Sequence, residues 1–210
     1  MPTINSTAGI ILAAGSSVRF GRTKQLLELN GKYLLAYVLE TALASQLDPL
    51  VLVLGHEHHK IQIALEAYLA HPRLQVVINH RYREGQSTSL KAGLRALEQH
   101  CPAVMFLLAD QPLLKPATIN HLLERFHHCG QDICVPVCNG QKRSPAIFNR
   151  AMYDQLLAIE GDVGGKIIIQ ANPGQVLTVE MQDPSDFVDI DCEKDFEKIQ
   201  KTVASVHCVG

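Results

Sequence analysis

Residues 9–24 read GIILAAGSSVRFGRTK, in which an apolar run (9–14) leads into a turn of small residues followed by three cations. A nearly continuous apolar run of this length is typical of a β-strand that is covered on both faces. Four more such runs occur along the chain, at 50–54 (LVLVL), 74–78 (LQVVI), 104–109 (VMFLLA) and 133–137 (ICVPV). The sequence therefore predicts a sheet that is buried between two layers.

Stretches with helical spacing of apolar residues separate these runs. They lie at 34–45, 60–70, 87–98, 116–128 and 151–159, and a last one at 193–203 follows a strand or turn near 187–190. Alternation of strand and helix predicts right-handed βαβ crossovers and a mainly parallel sheet. No linker, repeat or low-complexity tract divides the chain. We therefore expect one α/β domain over residues 1–210, Rossmann-like, with three α/β/α layers.

Composition excludes several classes of protein. The chain has 210 residues, 47% hydrophobic and 19% charged, which is incompatible with a mainly disordered state. Its formal net charge of −2 offers no basic surplus for many phosphates, so we expect no nucleic-acid partner. The six cysteines are too sparse for a disulfide scaffold. Cys134 and Cys138 lack the spacing of a zinc or redox pair and are predicted to be buried free thiols.

The N-terminal segment carries no targeting signal that we can identify. It lacks a basic region, and its apolar run ends at Gly15, too soon for a signal peptide or a spanning helix. We expect a cytoplasmic protein that has no membrane partner.

The turn after the first run is the strongest candidate for a ligand site, because ligands of such sheets bind outside the carboxyl ends of the strands. Small residues there can present several N–H groups to an anion: Ala13, Ala14, Gly15, Ser16 and Ser17. Arg19 and Lys24 suit phosphate oxygens. The spacing matches neither a P-loop nor a dinucleotide-binding turn. The alternative is an ordinary glycine turn with solvated cations.

Carboxylates follow the fourth run and recur near the C-terminus. Asp110 comes directly after its run, where it could hold a hard cation that clamps phosphates, or could cap the next helix. Asp189 and Asp191 point to the same face if residues 187–190 are extended. Asp191 also stands where an N-cap for the last helix would stand, so a metal role and a structural role are both open.

Two polar segments and a histidine cluster complete the candidates. Gly85, Ser87 and Ser89 follow the third run, where hydroxyls could bind a nucleobase or cap a helix. Residues 161–166 (GDVGGK) form a polar turn in which Lys166 is one anion contact. The histidines in GHEHHK (55–60) do not form HExxH, because Lys occupies position 60, and they are predicted to be solvated.

Together, the motifs LAAGSSVRFGRTKQLL, LLADQP, GDVGGK and VDID resemble those of the MobA-like nucleotidyltransferases, and more closely the molybdenum cofactor cytidylyltransferase branch. The resemblance extends from about residue 10 to 195 and implies a nucleotide-diphospho-sugar transferase-like fold. It implies that Arg19 and Lys24 bind the triphosphate and that Asp110 binds Mg²⁺. Asp191, or alternatively Asp189, would complete the metal site, and residues 85–89 would lie near the base.

The implied reaction is transfer of CMP from CTP to molybdopterin that carries molybdenum, with release of pyrophosphate. Arg19, Lys24 and Asp110 would be catalytic, and a molybdoenzyme or its chaperone would receive the product. The Ala14-Gly15 pair is typical of cytidylyl-transferring relatives, whereas guanylyl-transferring relatives typically have two glycines. A methyl at position 14 is expected to narrow the room beside the loop and to favour a pyrimidine.

Two departures from the family pattern leave the acceptor open. Residues 140–145 read GQKRSP where the family often has GxRGxP, and Cys192 stands where Thr is usual. The alternatives are a GTP-using molybdopterin guanylyltransferase, an enzyme acting on a sugar or alcohol phosphate, and a non-catalytic nucleotide-binding protein on the same fold.

Overall fold

The computed structural model of the chain describes residues 6–17, 20–97 and 101–207. Its strands are β1 (Thr7–Ala13), β2 (Glu28–Leu29), β3 (Lys32–Tyr33), β4 (Leu50–Leu54), β5 (Leu74–Ile78), β6 (Ala103–Leu108), β7 (Ile133–Cys138), β8 (Gln141–Lys142), β9 (Ala146–Asn149) and β10 (Val176–Glu180). Its α-helices are α1 (Leu34–Ala44), α2 (His58–Ala64), α3 (Glu66–Leu69), α4 (Gln86–Ala96), α5 (Pro116–Cys129), α6 (Tyr153–Ala158), α7 (Lys166–Ala171) and α8 (Glu193–His207).

One sheet runs through the molecule in the order β10-β7-β9-β6-β1-β4-β5, and β8 pairs with β7. Strands β6, β1, β4 and β5 are mutually parallel, and β10 is parallel to β7. Strand β9 lies antiparallel between β6 and β7. The short strands β2 and β3 form a separate hairpin. The predicted mainly parallel sheet is confirmed, with an antiparallel strand that the sequence did not indicate.

Strand β1 shows why its sequence is apolar throughout. Ile11 packs on the face covered by α1 and α5, in a cluster with Leu39 and Leu122. Its neighbour Ile10 packs on the opposite face, in a cluster with Leu90 of α4. Because successive side chains of a strand point to opposite faces, both must be apolar when helices cover both sides. The predicted three-layer α/β/α arrangement is confirmed.

Several elements differ from the sequence-based expectation. The helix predicted at 60–70 is divided into α2 and α3 at Leu65, which is buried and leaves the helical region (φ −117°, ψ 18°). The helix predicted at 87–98 ends earlier, as α4, and Glu98 lies outside the described residues. Strands β8, β9 and β10 and helix α7 were not predicted, because they have only two to six residues and lack a regular apolar period.

The late acidic segment is not a strand. A 3₁₀ turn, Pro184–Phe187, precedes it, and the Asp183 side chain caps that turn by accepting the N–H of Ser185. Because α8 begins at Glu193, the N-cap position falls on Cys192 rather than on Asp191. The Cys192 N–H donates to Oδ2 of Asp195 at 3.1 Å, as in a capping box. The N-cap role considered for Asp191 is therefore wrong.

Two other expectations concern the cysteines and the membrane. Cys134 and Cys138 are free and buried, as predicted, and Cys208 lies outside the described residues. Among the residues that the structure describes, none of the helices has the length and apolar character needed to cross a bilayer.

Candidate active site

A buried glutamine holds the loop after β1. Gln25 Nε2 donates to the carbonyl oxygens of Ala13 and Gly15 at 2.9 and 3.1 Å. Ser17, which has a positive φ of 52°, accepts the N–H of Lys24 at its Oγ at 3.2 Å. Within the described part of the chain, no protein group accepts the N–H groups of Gly15 and Ser16. The loop therefore offers donors to an anion, as its composition predicted.

The structure corrects the role expected for the Ala14 methyl group. Ala14 is only 3% exposed and packs with the core that α4 covers, so its methyl does not border open space beside the loop. It lies against Gly55, where an added Cβ would be 2.9 Å from Ala14 Cβ and 2.8 Å from Ala14 O. An influence of position 14 on the ligand must pass through Gly55 and its neighbour His56, whose N–H donates to Ala14 O at 3.2 Å.

Of the two predicted cations, Lys24 is placed and Arg19 lies outside the described residues. Lys24 Nζ donates to Asp110 Oδ2 and to the carbonyl oxygen of Ile190, each at 2.8 Å. The Ile190 N–H in turn donates to the Asp110 backbone oxygen at 3.0 Å. The structure thus brings together three parts of the chain predicted to bear on catalysis: the loop after β1, the tip of β6 and the late acidic segment.

In the late segment, Asp189 is the carboxylate that bonds to the residue after Asp110. Gln111 Nε2 donates to Asp189 Oδ1 at 2.9 Å. Although part of Asp189 is open to solvent, its pKa is raised to about 6 because the protein partly withdraws its carboxyl group from water and the Asp110 charge is close. Asp191 is exposed, and its N–H donates to Asp195 Oδ2 at 3.3 Å.

The carboxylates fit a divalent cation that is shared with a substrate. Asp110 Oδ1 is buried and has no hydrogen-bond partner among the described residues, so one oxygen remains for another ligand. No group of three or more His, Cys, Asp or Glu able to hold a metal occurs in the described ranges. Mg²⁺ is often bound by one or two carboxylates together with water and substrate phosphates. Asp110 and Asp189 can supply two carboxylates at this site.

The segment at 85–89 closes against the GDVGGK turn. Gly85 has a φ of 115°, and a Cβ added there would lie 2.5 Å from the Gly161 carbonyl carbon. Ser87 Oγ donates to Gly161 O at 2.7 Å, and Ser89 Oγ accepts from Asn79 Nδ2 at 2.9 Å. Both serines are buried. Their hydroxyls therefore hold this segment in place, and Gln86 is the side chain that reaches the neighbouring cleft.

A cleft of about 610 Å³ opens beside the carboxylates, at the carboxyl ends of β1 and β6. Its apolar lining comes mainly from Leu12, Leu90, Phe106 and Phe148, and its cations are Lys142, Arg143 and Lys166. Arg143 Nε is buried and has no partner among the described residues, and the same is true of Gln111 Oε1. A ligand in this cleft would meet apolar side chains, three cations, the carboxylates of Asp162 and Asp189, and two unsatisfied polar atoms.

Sequence reasoning missed Gln25 and Gln111. Each forms hydrogen bonds with residues that are distant in the sequence. Each is also a buried polar side chain next to a predicted ligand residue. That adjacency is the one signal that could have indicated them. The histidines of GHEHHK were predicted to be solvated, and His59 is exposed, but His56 is half-buried, with Nδ1 3.3 Å from the Tyr82 hydroxyl.

Comparison with known proteins places this chain in a family. A model of the MobA-like NTP transferase domain matches residues 9–176. Purine catabolism protein PucB of Bacillus subtilis (strain 168) is 27% identical over 201 residues, which are 93% of this chain and 97% of that protein. A probable molybdenum cofactor guanylyltransferase of Bacillus cereus (strain Q1) is 25% identical over 203 residues, covering 94% and 98%.

The solved structures agree in fold. The crystal structure of Rv0371c from Mycobacterium tuberculosis H37Rv has a TM-score of 0.81 and 25% identity, with 95% of this chain and 100% of that chain covered. The same protein solved in complex with manganese has a TM-score of 0.75 and 24% identity, with 93% and 98% covered. From the family match over most of the chain, together with the shared fold, it follows that the protein belongs to the MobA-like NTP transferase family and is a nucleotidyltransferase.

Proposed function

We propose that this protein transfers CMP from CTP to a molybdopterin-type acceptor that carries molybdenum, and releases pyrophosphate. The observation that carries the proposal is the junction at Asp110. There a carboxylate with an unpartnered oxygen is bonded to Lys24, which follows the loop after β1, and the next residue, Gln111, lines a cleft that contains three cations. A nucleotide and an acceptor phosphate bound on its two sides would meet at this carboxylate.

On the nucleotide side, the protein positions the triphosphate and balances its charge. The N–H groups of Gly15 and Ser16 and the ammonium group of Lys24 are the donors that the described loop offers, and Arg19 is proposed as a further contact. Phosphoryl chemistry of this kind needs in-line positioning and stabilisation of charge on the phosphate oxygens, with no covalent enzyme intermediate. The phosphate monoester of the acceptor attacks the α-phosphorus, and the bond to the pyrophosphate oxygen breaks.

Asp110 and one late carboxylate are proposed to hold a Mg²⁺ ion. Asp189 is supported by its place beside Asp110, and Asp191 is the second candidate from the sequence motif. A bound divalent ion would neutralise charge on the phosphate oxygens. The related fold of Rv0371c has been solved with manganese, which supports a divalent ion without selecting Mg²⁺.

On the acceptor side, the cleft suits a fused heterocycle that bears a phosphate. Its volume of about 610 Å³ lies in the usual range for small-molecule sites, and its floor contains Phe106 and Phe148, whose ring centroids are 5.9 Å apart. Lys142, Arg143 and Lys166 supply positive charge for the phosphate. The molybdenum cofactor guanylyltransferase among the relatives supports a molybdopterin-type acceptor. The recipient of the product is proposed to be a molybdoenzyme or its chaperone.

CTP is favoured over GTP by the Ala14-Gly15 pair. The buried methyl of Ala14 fixes Gly55, and with it the backbone of His56 at the end of β4. We propose that this keeps the wall beside the loop in the position that suits the smaller base. The guanylyltransferase name of one relative makes GTP the specific alternative.

The test is pyrophosphate release by the purified protein with Mg²⁺, molybdopterin carrying molybdenum, and each of the four nucleoside triphosphates in turn. The proposal predicts release with CTP that requires both the acceptor and the metal. Release with GTP alone would overturn the base assignment. Release only when a sugar phosphate replaces the pterin would overturn the acceptor. Tight nucleotide binding without release with any acceptor would favour a non-catalytic nucleotide-binding protein.

A further inference from the structure

Lys24 occupies a position that conflicts with two of the roles just proposed. Its ammonium group contacts Asp110 Oδ2 and Ile190 O at 2.8 Å each, and both charged side chains of the pair are mostly buried, at 16% and 23% exposed. The proposed function requires the same ammonium group on phosphate oxygens and requires the same carboxylate for a divalent cation. A divalent ion on Oδ1 and the ammonium group on Oδ2 of one carboxylate would repel each other strongly.

The backbone of Lys24 is fixed, so the conflict can be resolved only by its side chain. The Lys24 N–H donates to Ser17 Oγ at 3.2 Å, and the residue opens the 3₁₀ helix Lys24–Leu26, whose Gln25 is bound to the loop after β1. A lysine side chain is a flexible four-carbon stem that bears a compact charge. It can therefore leave Asp110 for a phosphate bound at the same loop while its own backbone stays in place.

We propose that Lys24 is the resident cation of the metal site, which it holds against a divalent ion until a triphosphate draws its ammonium group away. The inference rests on the proposed function and adds an order to it: nucleotide binding comes first and opens Asp110 to the metal. Lys24 is then a positioning residue for the metal as well as a phosphate contact. Because coupling between two binding sites is reciprocal, the metal must raise nucleotide affinity by the same factor.

The test measures the binding of Mn²⁺ to the nucleotide-free protein by electron paramagnetic resonance, which reports free Mn²⁺ directly. Lys24→Met removes the ammonium group and keeps the length of the side chain. We expect Lys24→Met to bind Mn²⁺ at least about fivefold more tightly than wild type, the lower end of typical coupling between sites. Adding Asp110→Asn to Lys24→Met should abolish that gain, because the released carboxylate is then gone.

Arg22→Met is the matched control. Arg22 lies two residues away, is exposed and pairs with Glu193, so it carries a similar charge without contacting Asp110. Equal gains in Mn²⁺ affinity for Lys24→Met and Arg22→Met would show a general charge effect and overturn the inference. Unchanged or weaker Mn²⁺ binding by Lys24→Met would overturn it as well.

A second measurement separates this inference from the proposed function. Wild-type protein is titrated with CTP, with and without Mn²⁺, by calorimetry. Failure of wild type to bind any triphosphate would defeat the proposed function itself. Normal CTP binding by wild type, together with the same factor of Mn²⁺–CTP coupling in wild type and Lys24→Met, would leave the proposed function standing and defeat only the ordered opening.

Discussion

The two ends of the sheet differ in how they are built. At one end, β6, β1, β4 and β5 are parallel strands of five to seven residues, formed almost wholly from continuous apolar runs. At the other end, β7 is flanked by the antiparallel β9, the two-residue β8 and the half-exposed β10. The regular end carries the loop assigned to the nucleotide, and the irregular end carries Lys142 and Arg143, assigned to the acceptor.

The difference indicates that the two sides of the site have different roles. Around the loop after β1, Gln25 bonds to the backbone oxygens of Ala13 and Gly15, which fixes the backbone that would bind a triphosphate. In the described part of the chain, buried polar atoms without a partner lie at the tip of β6, on Asp110 and Gln111, and at the irregular end, on Arg143 Nε. A triphosphate is common to the whole family, whereas acceptors vary, so a fixed nucleotide side and an adaptable acceptor side are expected.

The largest effect is expected where the two regions meet. Asp110→Ala should lower turnover about a hundredfold or more, because electrostatic groups that stabilise a transition state have effects of this size. The melting temperature should stay close to that of wild type. The control is Asp154→Ala, which removes an exposed carboxylate from α6. A strong fall in melting temperature with turnover retained would show that Asp110 is a structural cap.

The next effect concerns the contact that joins the two regions. Gly85→Ala should destabilise the protein by about 2 kcal/mol, because an added Cβ would meet the Gly161 backbone and because φ is 115°. Gly161→Ala is the control, since its φ is 78° but nothing lies within 4 Å of an added Cβ. Urea denaturation compares the two variants. Equal losses would mean that the close approach at Gly85 costs nothing beyond its backbone conformation.

Arg143→Met sharpens the distinction between the two sides. A charge-assisted hydrogen bond contributes about 1.5–3 kcal/mol, so the KM for the acceptor should rise about tenfold or more. The KM for CTP should be unchanged. Arg125→Met, on the exposed side of α5, should alter neither value. If the KM for CTP rises instead, the cleft binds the nucleotide, and the roles assigned to the two ends of the sheet are reversed.

Asp189 should make the stability of the folded protein depend on pH, and this dependence can be measured without substrate. Its folded pKa of about 6 lies above the ordinary 3.8, so the proton is bound more tightly in the folded state. The associated stability is fully present below pH 3.8 and is lost as pH rises through 6. Asp189→Asn should therefore stabilise the metal-free protein relative to wild type at pH 7 but not near pH 4. The gain should be below about 1 kcal/mol, because water screens the exposed part of the residue.

Thermal unfolding with a chelator present, from pH 4 to pH 8, would reveal this dependence. Asp191→Asn is the matched variant, because it removes a neighbouring carboxylate and leaves Asp189 in place, and it should retain the pH dependence that Asp189 causes. Loss of that pH dependence in Asp191→Asn would show that it does not come from Asp189 alone.

The last effect is expected at Ala14 and concerns the choice of nucleotide. Ala14→Gly should reduce the preference for CTP over GTP without inverting it, since one methyl group contributes only about 1–3 kcal/mol of discrimination. The ratio of kcat/KM values for the two nucleotides measures the change. An unchanged ratio would show that the contact between Ala14 and Gly55 does not reach the base.

The sequence predicted the regular end of the sheet well and the irregular end poorly, for a physical reason. The runs at β4 and β6 can be recognised in the sequence because strands covered on both faces must be apolar at every position. Strand β9 has four residues and α7 has six, too few for a period, and their places depend on contacts with distant parts of the chain. Local pattern cannot reveal such contacts.

The same holds within the site. Asp110 could be picked out because it follows a buried strand, where ligands of parallel sheets bind. The bond from Gln111 to Asp189 spans 78 residues and leaves no local trace. For Ser87 and Ser89 the sequence could not predict the direction of the hydroxyls, because their orientation is set by Gly161 and Asn79.

The central claim is that one protein joins a cytidine nucleotide to a pterin phosphate. The most direct measurement uses CTP labelled separately at the α- and γ-phosphorus, with Mg²⁺ and molybdopterin carrying molybdenum, followed by mass analysis of the product. The proposal predicts an acceptor heavier by one CMP unit that contains the α label, with the γ label recovered in pyrophosphate. A product that carries mainly GMP when CTP and GTP are supplied at equal concentration, or an acceptor that gains no nucleotide from CTP, would contradict it.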